Sequence, residues 1–247
     1  MSGHSKWSQI KRQKGVADAK RGQIFTKLGN AITIAVREGG GPDPESNFKL
    51  RLMIEKAREN NMPKENVQRA IERALGKGGE GNLSEVVFEG FAPGGAAVII
   101  EAVTDNHLRT QAAIKNVFNR MGGNIGGQGS VAYLFNKCGV INIFKDGKSQ
   151  EEIFLLACDC GAIDVEESDD LFEIFTHPQN LHEIKKILEE KGLTVNSAEL
   201  VMRPLTTLQM SMNGETQKII DFLNMLEDLD DVLKVYSNLE ILGYEKN

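Results

Sequence analysis

Seven cations, Lys6, Lys11, Arg12, Lys14, Lys20, Arg21 and Lys27, stand against a single acid, Asp18, in the first 27 residues, with Trp7, the one tryptophan, among them. Ammonium and guanidinium groups neutralise phosphates and release condensed counterions, giving affinity without sequence preference, and a neighbouring aromatic ring can stack on an exposed base. The chemistry open to these residues is polyanion binding. On a helix, Lys6, Gln13, Lys14, Lys20, Arg21 and Lys27 fall away from the apolar stripe and could track a phosphate backbone. The competing reading packs Trp7 in a core and leaves the cations as a solvated face balanced by acids elsewhere. Charge distribution tips the choice toward binding. Residues 1–77 carry 16 Lys or Arg and 8 Asp or Glu, a net of +8, so the chain total of −6 leaves −14 for residues 78–247. One end suits polyanions, and the remainder repels them.

Other constellations carry less. Gly127, Gly129 and Ala132 fit GxGxxA, but a dinucleotide fingerprint follows a strand and opens a helix, and this one runs from helix to strand. Its glycines read as a mobile loop with special backbone angles. No GxxxxGK followed by Ser or Thr occurs, so a phosphate-cradling ATPase loop is absent. Cys138, Cys158 and Cys160 with His177 or His182 lack the CxxC or HExxH spacing of a zinc site, and buried reduced thiols are expected. Asp169, Asp170, Asp230 and Asp231 fall at turns and helix ends, where carboxylates are normally solvated. Glu65, Arg69 and Arg73 read as surface neighbours on a helix. No nucleophile elbow is present, so the residues predict no catalytic site, no metal and no cofactor. Asp105 or Asn106 is expected to cap a helix, and Arg109 is a possible secondary contact to nucleic acid or protein.

The elements that must position these residues change character along the chain. Residues 5–77 read as helices: 23–38 carries a one-sided stripe of Ile24, Phe25, Leu28, Ala31, Ile32, Ala35 and Val36 and stops at three glycines. Helices over 46–59 and from Pro63 to Leu75 follow. From Val86 the pattern becomes VVFEGF and AAVIIEAV around Ala92-Pro93-Gly94-Gly95, a hairpin, then a helix over 107–121 and a strand VAYLF. Residues 137–203 read βαββαβ, a ferredoxin-like order, and 206–247 read βαβ through TLQMSM, KIIDFLNMLEDL and VLKVYSN. Neither 86–135 nor 206–247 can bury a sufficient core alone. The predicted fold class is therefore α+β with three domains: a basic helical bundle (1–82), a split α+β domain (83–135 plus 206–247), and a ferredoxin-like domain (136–205) inserted into it. Arg203 and Pro204 mark the return crossing.

With 40% hydrophobic and 26% charged residues the composition is that of folded domains. No apolar run approaches the roughly 18 residues of a membrane span, and the polar, basic start lacks a secretory core, so a cytoplasmic protein without membrane contact is expected.

The stretches GHSKWSQIKRQKGVADAKRGQIFTKL, NMPKENVQRAI, FEGFAPGGAAVIIEAVTDNHLRTQAAI and GGNIGGQGSVAYLF resemble the YebC/PmpR family, which includes the mitochondrial translational activator of a cytochrome oxidase subunit. That resemblance implies three domains and a cytoplasmic, DNA-binding transcriptional regulator. It also leaves room for a ribosome-associated factor that relieves stalling at stretches such as proline runs. The family's basic N-terminal positions map onto Lys6, Lys11, Arg12, Lys14, Lys20, Arg21 and Lys27, with Trp7 among them. The expected partners are DNA, or ribosomal RNA and the ribosome, with protein partners meeting the acidic domains.

Overall fold

The computed structural model describes residues 18–76, 83–168 and 171–242, with residues 18–20 described by their backbone alone. Helix α1 (Asp18–Glu38) packs against α2 (Phe48–Glu59) and α3 (Lys64–Ala74). The stripe read from sequence becomes their core: Leu28, Ile32, Ala35 and Val36 of α1 meet Leu50 and Ala57 of α2 and Ala70 of α3. Asn47 caps α2, its Oδ1 accepting from the Leu50 N–H at 3.0 Å while Nδ2 donates to the Ala35 carbonyl at 2.8 Å. One buried amide thus starts α2 and holds the end of α1. Arg73 departs from its expected surface role: its guanidinium crosses to the buried Thr33 hydroxyl at 3.0 Å and to Asn30 at 2.9 Å.

Strands β1 (Ser84–Phe91) and β2 (Ala97–Thr104) form the expected hairpin, followed by α4 (His107–Met121) and the short β3 (Asn124–Ile125). The turn needs Gly94 and Gly95, whose φ of 79° and 85° lie in the left-handed region. Strand β4 (Phe135–Phe144) leads to α5 (Gln150–Asp159), β5 (Asp164–Glu167), β6 (Leu171–Thr176), α6 (Leu181–Glu190) and β7 (Val195–Pro204). The chain closes with β8 (Leu208–Ser211), α7 (Gly214–Glu227), β9 (Val232–Ser237) and β10 (Leu239–Leu242).

Two four-stranded sheets result, ordered β3-β1-β2-β9 and β5-β6-β4-β7. The second is antiparallel throughout, and its order is that of a ferredoxin-like βαββαβ unit. In the first, β9 pairs with β2, and α7 brings Ile219, Phe222 and Leu223 against Ile114 and Phe118 of α4. The Phe118 and Phe222 rings meet edge-on at 4.9 Å. The sequence around Val86 is therefore completed by residues from the far end of the chain.

The sequence reading errs locally at two places. VAYLF is not a strand: Ala132–Leu134 form a 3-10 turn, and only Phe135 joins β4. The last strand, β10, was missed, and it is the parallel partner of β8. Both errors have one cause, since short apolar runs carry too few residues for their period to separate strand from turn or to name a partner.

The two sheets face each other. Val98, Ile100 and Ala102 of β2 point to the helices, whereas Ala97 and Ile99 join Tyr236, Cys138, Val140, Phe175 and Val201 between the sheets. A strand covered on both faces reads as a continuous apolar run, which is why AAVIIEAV shows no alternation. The helical region joins the second sheet's core through Leu52 of α2. Among the described residues, no helix is long and apolar enough to cross a membrane, and no cluster of His, Cys, Asp and Glu could hold a metal ion.

Candidate nucleic-acid interface

Of the residues singled out for polyanion binding, Lys6, Trp7, Lys11, Arg12 and Lys14 lie outside the described residues. Lys20 and Arg21 sit in the first turn of α1, and the Arg21 residue is exposed. Lys27 is half-buried, and its ammonium donates to the main-chain carbonyl of Glu227 at the C-terminal end of α7. Gln23 donates to Asp230 at 3.1 Å. The negative end of α7, with Asp228 and Asp230 beyond it, thus receives Lys27 and Gln23 of α1. Lys27 answers to the balanced-charge reading as much as to the binding one.

Two cations of α2, Lys56 and Arg51, also find partners within the molecule. Lys56 Nζ lies 2.8 Å from Glu199 on β7, whose carboxylate also meets Lys234 of β9 at 3.0 Å. Burial alone would raise the Glu199 carboxyl, but Lys234 and Lys56 outweigh it and hold it well below the ordinary carboxylate range. Lys185 of α6 pairs with Glu55 at 2.8 Å. Arg51 meets His182 at 2.6 Å, and burial together with that guanidinium lowers the imidazole.

Asn106, not Asp105, caps α4, its Oδ1 accepting from the Arg109 N–H at 3.1 Å. The Arg109 guanidinium rests 3.0 Å from Asp105 and 3.0 Å from Asp231, and hydrogen bonding to Asp231 chiefly raises it further. Asp231 corrects an expectation: its carboxylate is not simply solvated but accepts from the buried Thr110 hydroxyl at 2.6 Å. Segment 104–110 is thereby tied to a residue over a hundred positions away. The cysteines are also corrected in part. Cys138 is buried and its thiol is pushed up to about 11 by burial, but Cys158 is exposed and Cys160 intermediate. On α5 it is Ile153 and Ala157 that face the core. Cys158, one position on, points out.

The glycine loop between β3 and β4 is pinned rather than left loose. Glu89 of β1, 5% exposed, accepts from the N–H groups of Gly129, Val131 and Ala132 at 2.7, 2.8 and 2.8 Å. Burial would raise this carboxyl, but the three amides outweigh it and lower it. The sequence reading passed over Glu89 and Glu199, and took Asp231 for a solvated carboxylate. Only for Glu89 was there a signal, an acid inside the apolar run VVFEGF.

Residues 5–77 match the family model described as the TACO1/YebC protein N-terminal domain, and residues 83–239 match the TACO1/YebC second and third domain. A probable transcriptional regulatory protein of Chloroflexus aurantiacus is 49% identical over 243 residues, covering 98% of this chain and 96% of the relative. One from Thermoanaerobacter pseudethanolicus is 47% identical, covering 98% of each. The crystal structure of a conserved hypothetical protein from Aquifex aeolicus superposes with a TM-score of 0.86 at 42% identity, covering 98% of this chain and 100% of that one. With both models matched in order along one chain and relatives alike over nearly its whole length, the chain belongs to the TACO1/YebC family.

Proposed function

We propose that the protein is a non-enzymatic, cytoplasmic regulator of transcription that binds DNA through its basic helical end. The observation that carries this reading is the division of charge, +8 over residues 1–77 against −14 over the rest, in a family whose relatives are named probable transcriptional regulatory proteins. In this reading residues 1–82 form the DNA-binding domain. Residues 83–135 with 206–247 form a second domain, into which the ferredoxin-like 136–205 is inserted. Lys6, Lys11, Arg12, Lys14, Lys20 and Arg21 run along the phosphates, and Trp7 stacks beside them. Lys27 lies at the edge of this surface. Arg109 is left out of the contact set, because two carboxylates already hold it. The acidic sheets offer protein partners a site.

Replacing Lys11, Arg12 and Lys14 with Gln is expected to weaken binding to any DNA sequence and to flatten the salt dependence by up to about three phosphate equivalents. A gel shift across a salt series reads this, and an unchanged slope would remove those residues from the interface. The acidic two-thirds favours a second reading, a ribosome-associated factor wedged among basic ribosomal proteins. That reading expects co-sedimentation with ribosomes that survives DNase, together with no preference for promoter DNA over random duplex.

A further inference from the structure

We propose that the loop tip at residues 126–133 is a second nucleic-acid contact, where the Tyr133 ring stacks on an unpaired base. Such a contact presupposes nucleic-acid binding as proposed above, and adds a surface on the acidic half of the molecule. Four observations meet there. Tyr133 is 68% exposed, and Leu205, whose N–H donates to the Leu134 carbonyl at 2.8 Å, is 65% exposed beside it. Gly127 and Gly129 are exposed, and a Cβ added to either would meet nothing within 4 Å, so the space before the loop is open. The backbone is held from behind: Glu89 takes three amides through its carboxylate and the Gly126 N–H through its own carbonyl at 2.8 Å. Finally, no charged side chain occurs from Asn124 to Asn136, within a region of net charge −14.

The carboxylate that shapes the tip points inward, so a polyanion reaches this part of the acidic half without facing an exposed acid on the tip. Glycines let a sugar-phosphate strand come close, and the phenol ring supplies a face that any base can stack on. The base must be unpaired, because within a duplex both its faces are already stacked. A protein partner would find little to pack against on 126–129, where three of four residues are glycine.

The test uses the full chain with a mixed-sequence single-stranded RNA carrying 2-aminopurine, and the same RNA as a duplex. Tyr133→Ala is expected to weaken single-strand binding about tenfold and to abolish stacking-induced quenching, while the salt slope and duplex binding stay unchanged. Tyr133→Phe retains both signals. Glu89→Gln, a change in a positioning residue, is expected to speed hydrogen exchange at Gly129, Val131 and Ala132 and to lower single-strand binding in step. If Tyr133→Ala binds and quenches like the parent, while the Lys11, Arg12 and Lys14 variant still flattens the salt slope, the tip is no contact and the basic surface stands. A parent protein that binds neither RNA nor DNA overturns both. Loss of a protein partner with RNA binding intact overturns the stacking role.

Discussion

At the scale of single residues, the side chains that hold the molecule together are acids with several donors each. Asp231 accepts from Thr110 at 2.6 Å and from Arg109 at 3.0 Å, joining the start of α4 to the start of β9. Asp231→Asn preserves size but removes the charge that organises both donors and leaves the buried Thr110 hydroxyl with a poorer acceptor. A loss of about 1–3 kcal/mol is expected, read as a lowered urea midpoint with unchanged slope. The salt dependence of nucleic-acid binding should not move, since neither Asp231 nor Arg109 belongs to the proposed basic surface. A changed slope in Asp231→Asn would return Arg109 to that surface.

At the scale of elements, close approach decides the first sheet. Gly90 sits where β1 pairs with both β2 and β3. A Cβ there would lie 2.6 Å from the Asn124 carbonyl oxygen and 2.7 Å from the Phe118 ring. Backbone on one side and a fully buried ring on the other leave no flexible side-chain end to yield. Gly90→Ala is therefore expected to cost about 1–3 kcal/mol by overpacking, visible as a drop in Tm, and to loosen β3 first. Because β3 leads into the tip, the same variant should show faster hydrogen exchange across 124–133. Protection unchanged across that segment would mean that β3 does not support the loop.

At the scale of the whole molecule, Glu199 joins three parts: β7, which carries it, α2 through Lys56 and β9 through Lys234. A quarter of its side chain stays open to water, so replacing it costs less than breaking a fully buried pair. Glu199→Gln is expected to destabilise by about 1.5–3 kcal/mol, as lost charge-assisted hydrogen bonds do. Since folding lowers this carboxyl, the stabilisation is complete above the ordinary carboxylate range and is lost as pH falls through the lowered value. The difference in urea midpoint between parent and Glu199→Gln should therefore be full near about pH 7 and shrink in acid. A difference that holds constant into acid would show that charge at Glu199 plays no part.

The sequence alone settled the division of charge, because net charge adds residue by residue and needs no fold, and it settled the amphipathic helices of residues 23–75, whose stripes repeat over enough turns to declare their buried face. It also carried the family, through long ordered motifs. Tertiary structure alone decided what those faces meet: β8 beside β10, the Glu89 carboxylate under the loop amides, Asp231 under Thr110, Glu199 between two lysines. Periodicity says which side of an element turns away from water. It cannot say which atoms lie opposite, since that depends on how segments far apart in the chain pack together, and a hydrogen bond exists only within about 3 Å.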